Sequence, residues 1–369
     1  MSDRPSARLR ILVITNLYPS AAHPAFGTFV GGRVEALRRA GTRVSVAAIT
    51  DDRAHHGIGR KYLRLASRAL ADAVIARLRG RPYDIVEAHI AFPTGLVAWP
   101  AARLGGSKLV LFCHGSDVTR LPWLSPRRAA AARWLFARAD LVIANSAYIA
   151  DIVARRLGPL RASVEVVSPG IDSNATQTVA QGVEREADQV LFVGRLAAGK
   201  GVEVLIEAVE RLAARSFPVR LTIVGDGECR DRLEAKSHAS DTPVTFVGPL
   251  APVAVRQLMA TSAVVVVPST MPEGLGLVAI EAMASGALVV ATRMGGLAET
   301  MRDGENGFVV PPGDVAALTN ALERALVSAR SADGERIRAD GARTAGGHDR
   351  ARAVRLSLAH YTRMLAFDG

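Results

Sequence analysis

The sequence alternates short apolar segments with longer stretches of helical periodicity along nearly its whole length. Segments rich in Val, Ile and Leu, such as Leu9–Thr15 and Ala263–Val267, show little polar alternation, which is typical of strands buried on both faces. Buried strands that alternate with helices form βαβ units, and these units build parallel sheets. The pattern therefore predicts an α/β protein.

Six strands are predicted before residue 170 and five after residue 188. They are Leu9–Thr15, Thr42–Ala48, Asp84–Ala88, Lys108–Cys113, Leu141–Ala144 and Val164–Val167, then Gln189–Val193, Val219–Val224, Val244–Phe246, Ala263–Val267 and Ala287–Ala291. The predicted helices include Gly31–Ala40, Ala147–Leu157, Val202–Arg215 and Ala316–Val327. The polar stretch at 171–188 interrupts the pattern and is predicted to be a linker.

A chain of 369 residues is too long for a single core, because cores stop growing near ~250–300 residues. We therefore expect two doubly wound, Rossmann-like domains, at 1–170 and 189–345, that face each other across a cleft. Residues 328–348 are polar and rich in Arg and Gly. The segment 346–369 carries a final apolar-periodic helix, near Ala353–Leu365, which we expect to pack back toward the N-terminal domain.

The charge of the chain is unevenly distributed. The net charge is +11, and residues 1–180 carry 25 basic and 12 acidic side chains, or +13, which leaves −2 for residues 181–369. An excess of this size favours an anionic partner for the first half, although Arg-rich solvated faces would give the same count.

The cysteines and apolar segments indicate a cytoplasmic location. Cys113 and Cys229 form no CxxC pair, so neither a disulfide framework nor a thiolate zinc site is expected. The N-terminus is polar and basic, and Ala263–Val267 is far shorter than the ~20 residues that a membrane span needs.

The strongest candidate site follows the strand Ala263–Val267. Glu273, Gly274, Leu275 and Gly276 form a turn before a helix that carries Glu281. Free backbone N–H groups at the start of a helix favour an anion such as a diphosphate, and carboxylates suit sugar hydroxyls. Two glutamates alone are also compatible with a plain turn and a helix surface.

A second candidate site follows the strand Gln189–Val193. Arg195 and Lys200 lie in one glycine-containing loop, from which both could reach a diphosphate. Two cations placed there would neutralise a leaving diphosphate without a metal ion.

Three weaker signals also follow predicted strands. Gly225 begins a tight turn, His114 would lie at the ligand-binding edge of its sheet, and Gly27 belongs to a long first loop that ends in glycines. The sequence has no G-x-G-x-x-G fingerprint, no phosphate-binding G-x-x-x-x-G-K-[ST] loop and no D-x-D pair at a strand end. A nicotinamide enzyme, a nucleoside triphosphatase and a divalent-metal site are therefore not expected.

Together these residues resemble a known family. Over nearly its full length the chain is similar to the retaining glycosyltransferases with the GT-B fold, specifically glycosyltransferase family 4. The resemblance rests on the Glu273-x7-Glu281 pair, Val193-Gly-Arg195-Leu with Lys200-Gly201, Gly225-Asp-Gly227, His114-Gly-Ser-Asp117 and Ala144-Asn-Ser146. The opening Asn16-Leu-Tyr-Pro-Ser, with Gly27-Thr-Phe-Val, resembles the branch that acts in bacterial cell-surface and exopolysaccharide synthesis.

The resemblance implies a role for each candidate. Arg195 and Lys200 would hold the diphosphate of a UDP- or GDP-linked sugar, while Glu273 and the backbone of Gly274, Leu275 and Gly276 would hold the sugar. Glu281 would bind the ribose, and Gly225 belongs to the donor side. His114 would contact the sugar near the attacking hydroxyl, and Gly27 would leave room for phosphate. No cofactor or metal is implied, and the acceptor would be a glycan or a lipid-linked glycan.

Other interpretations remain open at this stage. The basic first half could rest on an anionic membrane at the inner face of the plasma membrane, through Arg60–Arg68 or through the Arg- and Trp-containing stretch 120–134. Nucleic-acid binding is disfavoured because no recognition motif accompanies the charge. A sugar-nucleotide epimerase, a pyridoxal-phosphate-dependent phosphorylase and a catalytically silent subunit remain the alternatives within this fold.

Overall fold

The computed structural model describes residues 9–51, 58–239 and 243–366. The chain divides into two compact units. Unit 1 comprises Met1–Gly170 with Arg350–Gly369, and unit 2 comprises Ile171–Asp349.

Unit 1 contains a six-stranded parallel sheet with the strand order β2-β1-β3-β4-β5-β6. Its strands are β1 (Arg10–Thr15), β2 (Arg43–Ala48), β3 (Ile85–His89), β4 (Lys108–Cys113), β5 (Leu141–Ala144) and β6 (Ser163–Val166). Its first helices are α1 (Thr28–Arg39), α2 (Ile58–Leu78), α3 (Ala91–Gly105), α4 (Ser116–Thr119), α5 (Pro126–Phe136) and α6 (Ala147–Leu157), with a 3-10 helix at Leu121–Leu124.

Unit 2 contains a second six-stranded parallel sheet, with the order β12-β11-β10-β7-β8-β9. Its strands are β7 (Glu186–Val193), β8 (Arg220–Val224), β9 (Val244–Gly248), β10 (Ser262–Val267), β11 (Leu288–Thr292) and β12 (Phe308–Val310). Its helices are α7 (Ser173–Ala180), α8 (Val202–Ala214), α9 (Arg230–Ala239), α10 (Pro252–Thr261), α11 (Leu277–Ala284), α12 (Leu297–Thr300), α13 (Val315–Ser328) and α14 (Ala332–Gly346).

The central strands are buried on both faces. In β1, Leu12 and Ile14 pack into one hydrophobic core and Ile11 and Val13 into another, and all four side chains are fully buried. In β10, alternate valines likewise divide between two cores. When successive residues of a strand pack into different cores, the strand is covered on both faces. A continuous apolar segment requires such cover. The predicted pair of doubly wound parallel sheets is confirmed.

The strand order places a topological switch point in each sheet. In unit 1 the order reverses at β1 and β3, and in unit 2 at β7 and β10. Open α/β sheets bind ligands outside the carboxyl ends of their strands at such points. The loops after β7 and β10 contain Arg195, Lys200 and Glu273, three of the residues that the sequence singles out.

The final helix, α15 (Arg350–Ala366), belongs to unit 1. Its Ala353, Val354 and Tyr361 are buried in the same hydrophobic core as Val30 and Val34 of α1. Unit 1 is therefore assembled from both ends of the described chain.

Three segments differ from the sequence-based expectation. The predicted linker at 171–188 contains α7, because Asp172 caps its first turn by accepting a hydrogen bond from the Ala175 N–H at 3.1 Å. The polar stretch 328–348 forms α14, which begins at a Ser331 cap. The short strand β12 was not predicted.

The first helix also begins earlier than predicted. It starts at Thr28, three residues before the predicted start at Gly31, so Gly31 and Gly32 lie well inside α1. Both glycines let neighbouring side chains pack closely against α1. A Cβ at Gly31 would crowd the Pro19 ring, and one at Gly32 would crowd the Arg350 side chain.

No helix among the described ranges combines the length and the apolar character needed to cross a bilayer.

Candidate active site

In unit 2, two loops meet at the switch point between β7 and β10. The loop 194–201 follows β7, and the loop 268–276 follows β10. The backbone N–H groups of Thr270 and Met271 donate to the Gly199 carbonyl at 2.9 and 3.2 Å. A Cβ at Gly201 would collide with the Pro268 carbonyl, so the two loops are in direct contact there.

Lys200 and Glu273 form the ion pair at the centre of these loops. The Lys200 Nζ donates to the Glu273 Oε1 at 2.6 Å, and the Ser269 hydroxyl donates to the same oxygen at 2.5 Å. Side-chain exposure is 37% for Lys200 and 19% for Glu273. The pair is therefore ordered by its neighbours and still accessible to a ligand. Ser269 was not singled out in the sequence.

Arg195 lies in the same loop but has a different partner. Its Nη2 donates to the Glu228 Oε2 at 2.9 Å, and both side chains are more than half exposed. An exposed ion pair contributes little to stability, so Arg195 can exchange this carboxylate for another anion at low cost.

Gly225 packs directly against the loop that carries Arg195. Its φ is +131°, and a Cβ would collide with the Gly194 carbonyl. The Leu196 N–H donates to the Asp226 carbonyl at 2.9 Å, which joins the turn after β8 to the same loop. In this structure the glycine is therefore required by loop packing.

Two helices begin at this edge of the sheet without a side-chain cap. Gly201 precedes α8 and Gly276 precedes α11, both in the left-handed conformation with φ of +71° and +83°. Neither N-cap makes a side-chain cap hydrogen bond, and the first turn of α11 contains no acidic residue. An uncapped helix N-terminus carries partial positive charge and binds anions.

The remaining candidates of unit 2 lie on the same turn and helix. Leu275 is buried, whereas Gly274 and Gly276 are partly exposed. Glu281 is partly buried and lies five residues beyond the Gly276 cap of α11.

A glycine pair after β11 supports the Glu273 turn and was missed in the sequence. The Gly296 N–H donates to the Glu273 carbonyl at 2.9 Å, and Gly295 pairs with Glu273 as an isolated parallel bridge. A Cβ at either glycine would overlap this turn. The adjacent Gly-Gly after a predicted strand was the available signal.

Unit 1 places its two candidates, Gly27 and His114, near each other. Gly27 precedes α1 with φ +72°, and a Cβ there would crowd the backbone of Leu17 and Tyr18. Phe29 in the first turn of α1 packs against His114, which follows β4, with 4.7 Å between ring centroids.

Behind His114 lies a buried ion pair between Arg33 of α1 and Glu87 of β3. The Arg33 Nε and Nη2 donate to the two Glu87 oxygens, both at 3.0 Å. The Tyr361 hydroxyl of α15 donates to the Glu87 Oε1 at 2.7 Å. Burial alone would raise the pKa of Glu87, but Arg33 and a hydrogen bond from His89 outweigh it and hold the pKa well below its ordinary value.

Two histidines connect the buried Arg33–Glu87 pair to the carboxyl end of the sheet, where His114 is partly exposed. His89 Nε2 lies 3.1 Å from Glu87 Oε2, and His89 Nδ1 lies 3.1 Å from His114 Nε2. Burial lowers the pKa of both rings, and for His114 the positive charge of Arg33 lowers it further. Both imidazoles are therefore neutral near pH 7.

Asp117 has a structural task. Its carboxylate accepts hydrogen bonds from the backbone N–H groups of Ala91, His114 and Gly115 at 2.7 to 3.1 Å. Burial raises its pKa to about 6 in spite of these donors. The residue fixes the backbone that carries His114.

The sequence missed the network of Arg33, Glu87, His89 and Tyr361. Glu87 is a charged residue inside the predicted strand Asp84–Ala88, and His89 follows that strand directly, at the switch point of the sheet. Those two features were the available signal, while nothing in the sequence connects them with Tyr361.

Two family models match the chain in succession. The model for "Glycosyltransferase Family 4" matches residues 27–175, and the model for "Glycosyl transferases group 1" matches residues 187–328. Each match contains the candidate residues of its own unit.

Individual proteins agree with the family models. The 2-deoxystreptamine glucosyltransferase of Streptomyces kanamyceticus is 31% identical over 337 residues, covering 84% of each chain. The glycogen synthase of Mycobacterium tuberculosis is 33% identical over 253 residues, and the match spans 66% of this chain but only 60% of that enzyme. The Anabaena Alr3699/HepE structure in complex with UDP-glucose is 22% identical and superposes with a TM-score of 0.76, covering 96% of this chain and 100% of that one.

The structural likeness identifies the two doubly wound units as those of the GT-B fold. Together with the family models and the relative matched over 84% of its length, it shows that the chain belongs to the group 1 glycosyltransferases.

Proposed function

We propose that the protein is a retaining hexosyltransferase that moves a sugar from a nucleoside diphosphate sugar to a hydroxyl of a glycan or lipid-linked acceptor. The observation that carries the proposal is the accessible Lys200–Glu273 pair, which lies between two uncapped helix starts at the switch point of unit 2. Cations and free N–H groups fit a diphosphate, and an adjacent carboxylate fits the hydroxyls of a sugar.

In this proposal the cations change partners when the donor binds. Lys200 leaves Glu273 and Arg195 leaves Glu228, and both turn to the diphosphate. The existing ion pairs hold each cation within reach of the site before binding, which reduces the ordering cost. No metal is assigned to the reaction, because the two cations and the helix N-termini supply positive charge.

Glu273, once released from Lys200, accepts hydrogen bonds from hydroxyls of the transferred sugar. The backbone of Gly274, Leu275 and Gly276 closes around that sugar, and Glu281 accepts from the ribose hydroxyls. Gly225 keeps the Arg195 loop in place. In unit 1 we assign His114 to a sugar hydroxyl near the attacking oxygen, and Gly27 to the phosphate side of the first loop.

The proposed chemistry is displacement on the front face of the anomeric carbon. The bond from C1 to the diphosphate oxygen breaks, and its electron pair leaves with the diphosphate. The acceptor oxygen forms its bond to C1 on the same face, and its proton passes to an oxygen of the departing phosphate. Lys200 and Arg195 stabilise the negative charge that develops there.

The relatives support the donor class. One is named a glucosyltransferase and another a glycogen synthase, and the HepE structure contains UDP-glucose. The first-loop sequence that resembles the exopolysaccharide branch supports a cell-surface polysaccharide or glycolipid as the product.

The donor assignment is tested by thermal stability. UDP, GDP and ADP, and their glucose and mannose conjugates, are added to the purified protein over a concentration series. A ligand at one hundred times its Kd stabilises the folded state by about 2.7 kcal/mol, which is several degrees in Tm. If none of these compounds stabilises the protein, the donor-site assignment is wrong.

The stereochemistry is tested without knowing the acceptor. Slow transfer to water from a stabilising donor such as UDP-glucose is followed by proton NMR, and the first sugar released should be the α-anomer. A first-formed β-anomer would contradict retention. An epimerase would instead convert one nucleotide sugar into another with no net release of nucleoside diphosphate.

We further propose that α2 brings unit 1 to an anionic membrane. Its exposed residues include Arg60, Arg64 and Arg68, with Leu63 among them, and Leu78 at the end of the helix; the two leucines are 68% and 81% exposed. The second basic stretch suits this role less well, because Trp123 donates to the Val118 carbonyl at 2.7 Å and two arginines cover its ring. Each basic residue near such a surface contributes about 1 kcal/mol.

Vesicle sedimentation tests this proposal with matched charge changes. The double substitution Arg64→Ser/Arg68→Ser should weaken binding to phosphatidylglycerol vesicles roughly 30-fold. The control is Arg43→Ser/Arg161→Ser, which removes the same charge from exposed positions of unit 1 outside α2 and should change binding little. Equal losses in both variants, or no binding of the unmodified protein at low salt, would contradict the proposal.

A further inference from the structure

A continuous hydrogen-bonded chain runs from the last helix to the accessible edge of unit 1. It starts at Tyr361, passes through Glu87 and His89, and ends at His114, with contacts of 2.7 to 3.1 Å. Arg33 braces it by donating to both Glu87 oxygens. Arg33, Glu87, His89 and Tyr361 are at most 3% exposed, whereas His114 is only partly buried. His114 is therefore the end of the chain that a ligand can reach.

The position of each proton follows from the partners. Glu87 is an ionised carboxylate, fixed by the guanidinium of Arg33, so it can only accept hydrogen bonds. The His89 Nε2 beside it must therefore carry a proton. In a neutral ring, His89 Nδ1 is then a bare acceptor, and the His114 Nε2 at 3.1 Å must be the donor. His114 is left with an unprotonated Nδ1.

The same contacts argue against an imidazolium in this network. Glu87 is already neutralised by Arg33, so a second positive charge on His89 would be buried without a counter-ion of its own. Burial lowers the pKa of His89 and of His114, in agreement with this argument. Among the described residues, the other titratable groups near the rings are Asp117, whose carboxylate accepts hydrogen bonds from backbone N–H groups, and the Cys113 thiol, whose pKa is raised by burial.

We propose that Glu87 and His89 are positioning residues that hold His114 as a neutral imidazole with its proton on Nε2 and a free acceptor at Nδ1. The inference rests on the proposed function, in which His114 meets a sugar hydroxyl. An unprotonated Nδ1 accepts a hydrogen bond from a hydroxyl group and offers nothing to a phosphate or carboxylate oxygen. The network therefore makes His114 a hydrogen-bond acceptor, which suits a sugar hydroxyl and not an ionised phosphate.

Nitrogen NMR of the ¹⁵N-histidine-labelled full chain at pH 7.5 tests the proton positions directly. The chain has 8 histidines, and the signals of His89 and His114 are identified by their loss in His89→Gln and His114→Gln. We expect protons on Nε2 of both rings, with scalar coupling from the His114 Nε2 to the His89 Nδ1 across their hydrogen bond. A proton on the Nδ1 of either ring would overturn the proposal.

Two further variants test whether the Glu87 carboxylate itself sets the proton positions of the two histidines. In Glu87→Gln the side-chain amide can donate to the His89 Nε2, so the protons should move to the Nδ1 positions of both rings. Tyr361→Phe removes one hydrogen bond to Glu87 but keeps the carboxylate, so the protons should stay on Nε2. Unchanged proton positions in folded Glu87→Gln would show that Glu87 does not set them. If Glu87→Gln fails to fold, the proton positions of His89 and His114 in the unmodified chain and in Tyr361→Phe still test the proposal.

The outcome is independent of the donor test. Failure of the proposed function would appear as the absence of stabilisation by every nucleotide, with the histidine protons in their assigned places. Failure of this inference would appear as misplaced protons, whether or not UDP or GDP stabilises the protein.

Discussion

Replacing Lys200 by alanine should lower kcat by about 10²- to 10³-fold, because in the proposed mechanism the departing diphosphate loses a cation that acts mainly in the transition state. The fold should survive, since Lys200 is partly exposed and its only described salt bridge is to Glu273. Release of nucleoside diphosphate at saturating donor measures the effect. Glu273→Ala should abolish transfer in the same assay, because it removes the group to which the proposed function assigns the orientation of the sugar.

Lys236→Ala is a matched control for the lysine substitution. Lys236 forms a 2.8 Å ion pair with Glu207 between α9 and α8, away from the switch point, and its pKa is raised mainly by that contact. The substitution removes the same groups from a similar pair, so kcat should stay within about twofold of the unmodified enzyme. Equal losses of kcat in Lys200→Ala and Lys236→Ala, or full turnover in Lys200→Ala, would show that Lys200 has no specific part in the reaction.

Replacing Glu87 by alanine should destabilise the protein by about 3–5 kcal/mol, because it leaves the Arg33 guanidinium buried without a counter-charge. Urea unfolding followed by circular dichroism measures the change as a lower midpoint. The control is Glu35→Ala, which breaks an exposed pair with Arg39 on the same helix as Arg33 and should change stability by less than about 1 kcal/mol. A midpoint that Glu87→Ala leaves unchanged would contradict the account of the network.

The same pair has a defined pH dependence. The pKa of Glu87 lies below the ordinary 4.5 in the folded state, so the unfolded chain takes up a proton first as the pH falls. The stabilisation is therefore complete above about pH 4.5 and is lost progressively below it. Unmodified protein and Glu87→Ala should accordingly converge in stability as the pH falls below 4.5.

Most strands could be predicted because apolar segments buried on both faces need little context. The bounds of Lys108–Cys113 and Leu141–Ala144 agree with the structure. The exceptions are segments in which a polar sequence is organised by one local contact, as Asp172 does for α7. The strand β12 has only three residues, and its position depends on pairing with β11.

The candidate site was partly predictable for a related reason. Residues that follow strands are recognisable in a sequence, which is why Arg195, Lys200 and Glu273 were found. Their pairing was not recognisable, because Lys200 meets Glu273 only if β7 lies beside β10, and strand order is set by the whole sheet. The Arg33–Glu87–Tyr361 contact requires α1, β3 and α15 together, across up to 328 positions of the chain.

The return of α15 to unit 1 has a consequence for synthesis. A ribosome releases Arg33 and Glu87 long before Tyr361, and the whole of unit 2 emerges between them. Unit 2 is contiguous from Ile171 to Asp349, so all of its residues are synthesised before α15. Until α15 has been made, unit 1 lacks the part of its core that this helix supplies, and Glu87 lacks the hydrogen bond from Tyr361. The core of unit 1 can therefore be completed only after all of unit 2 has been synthesised.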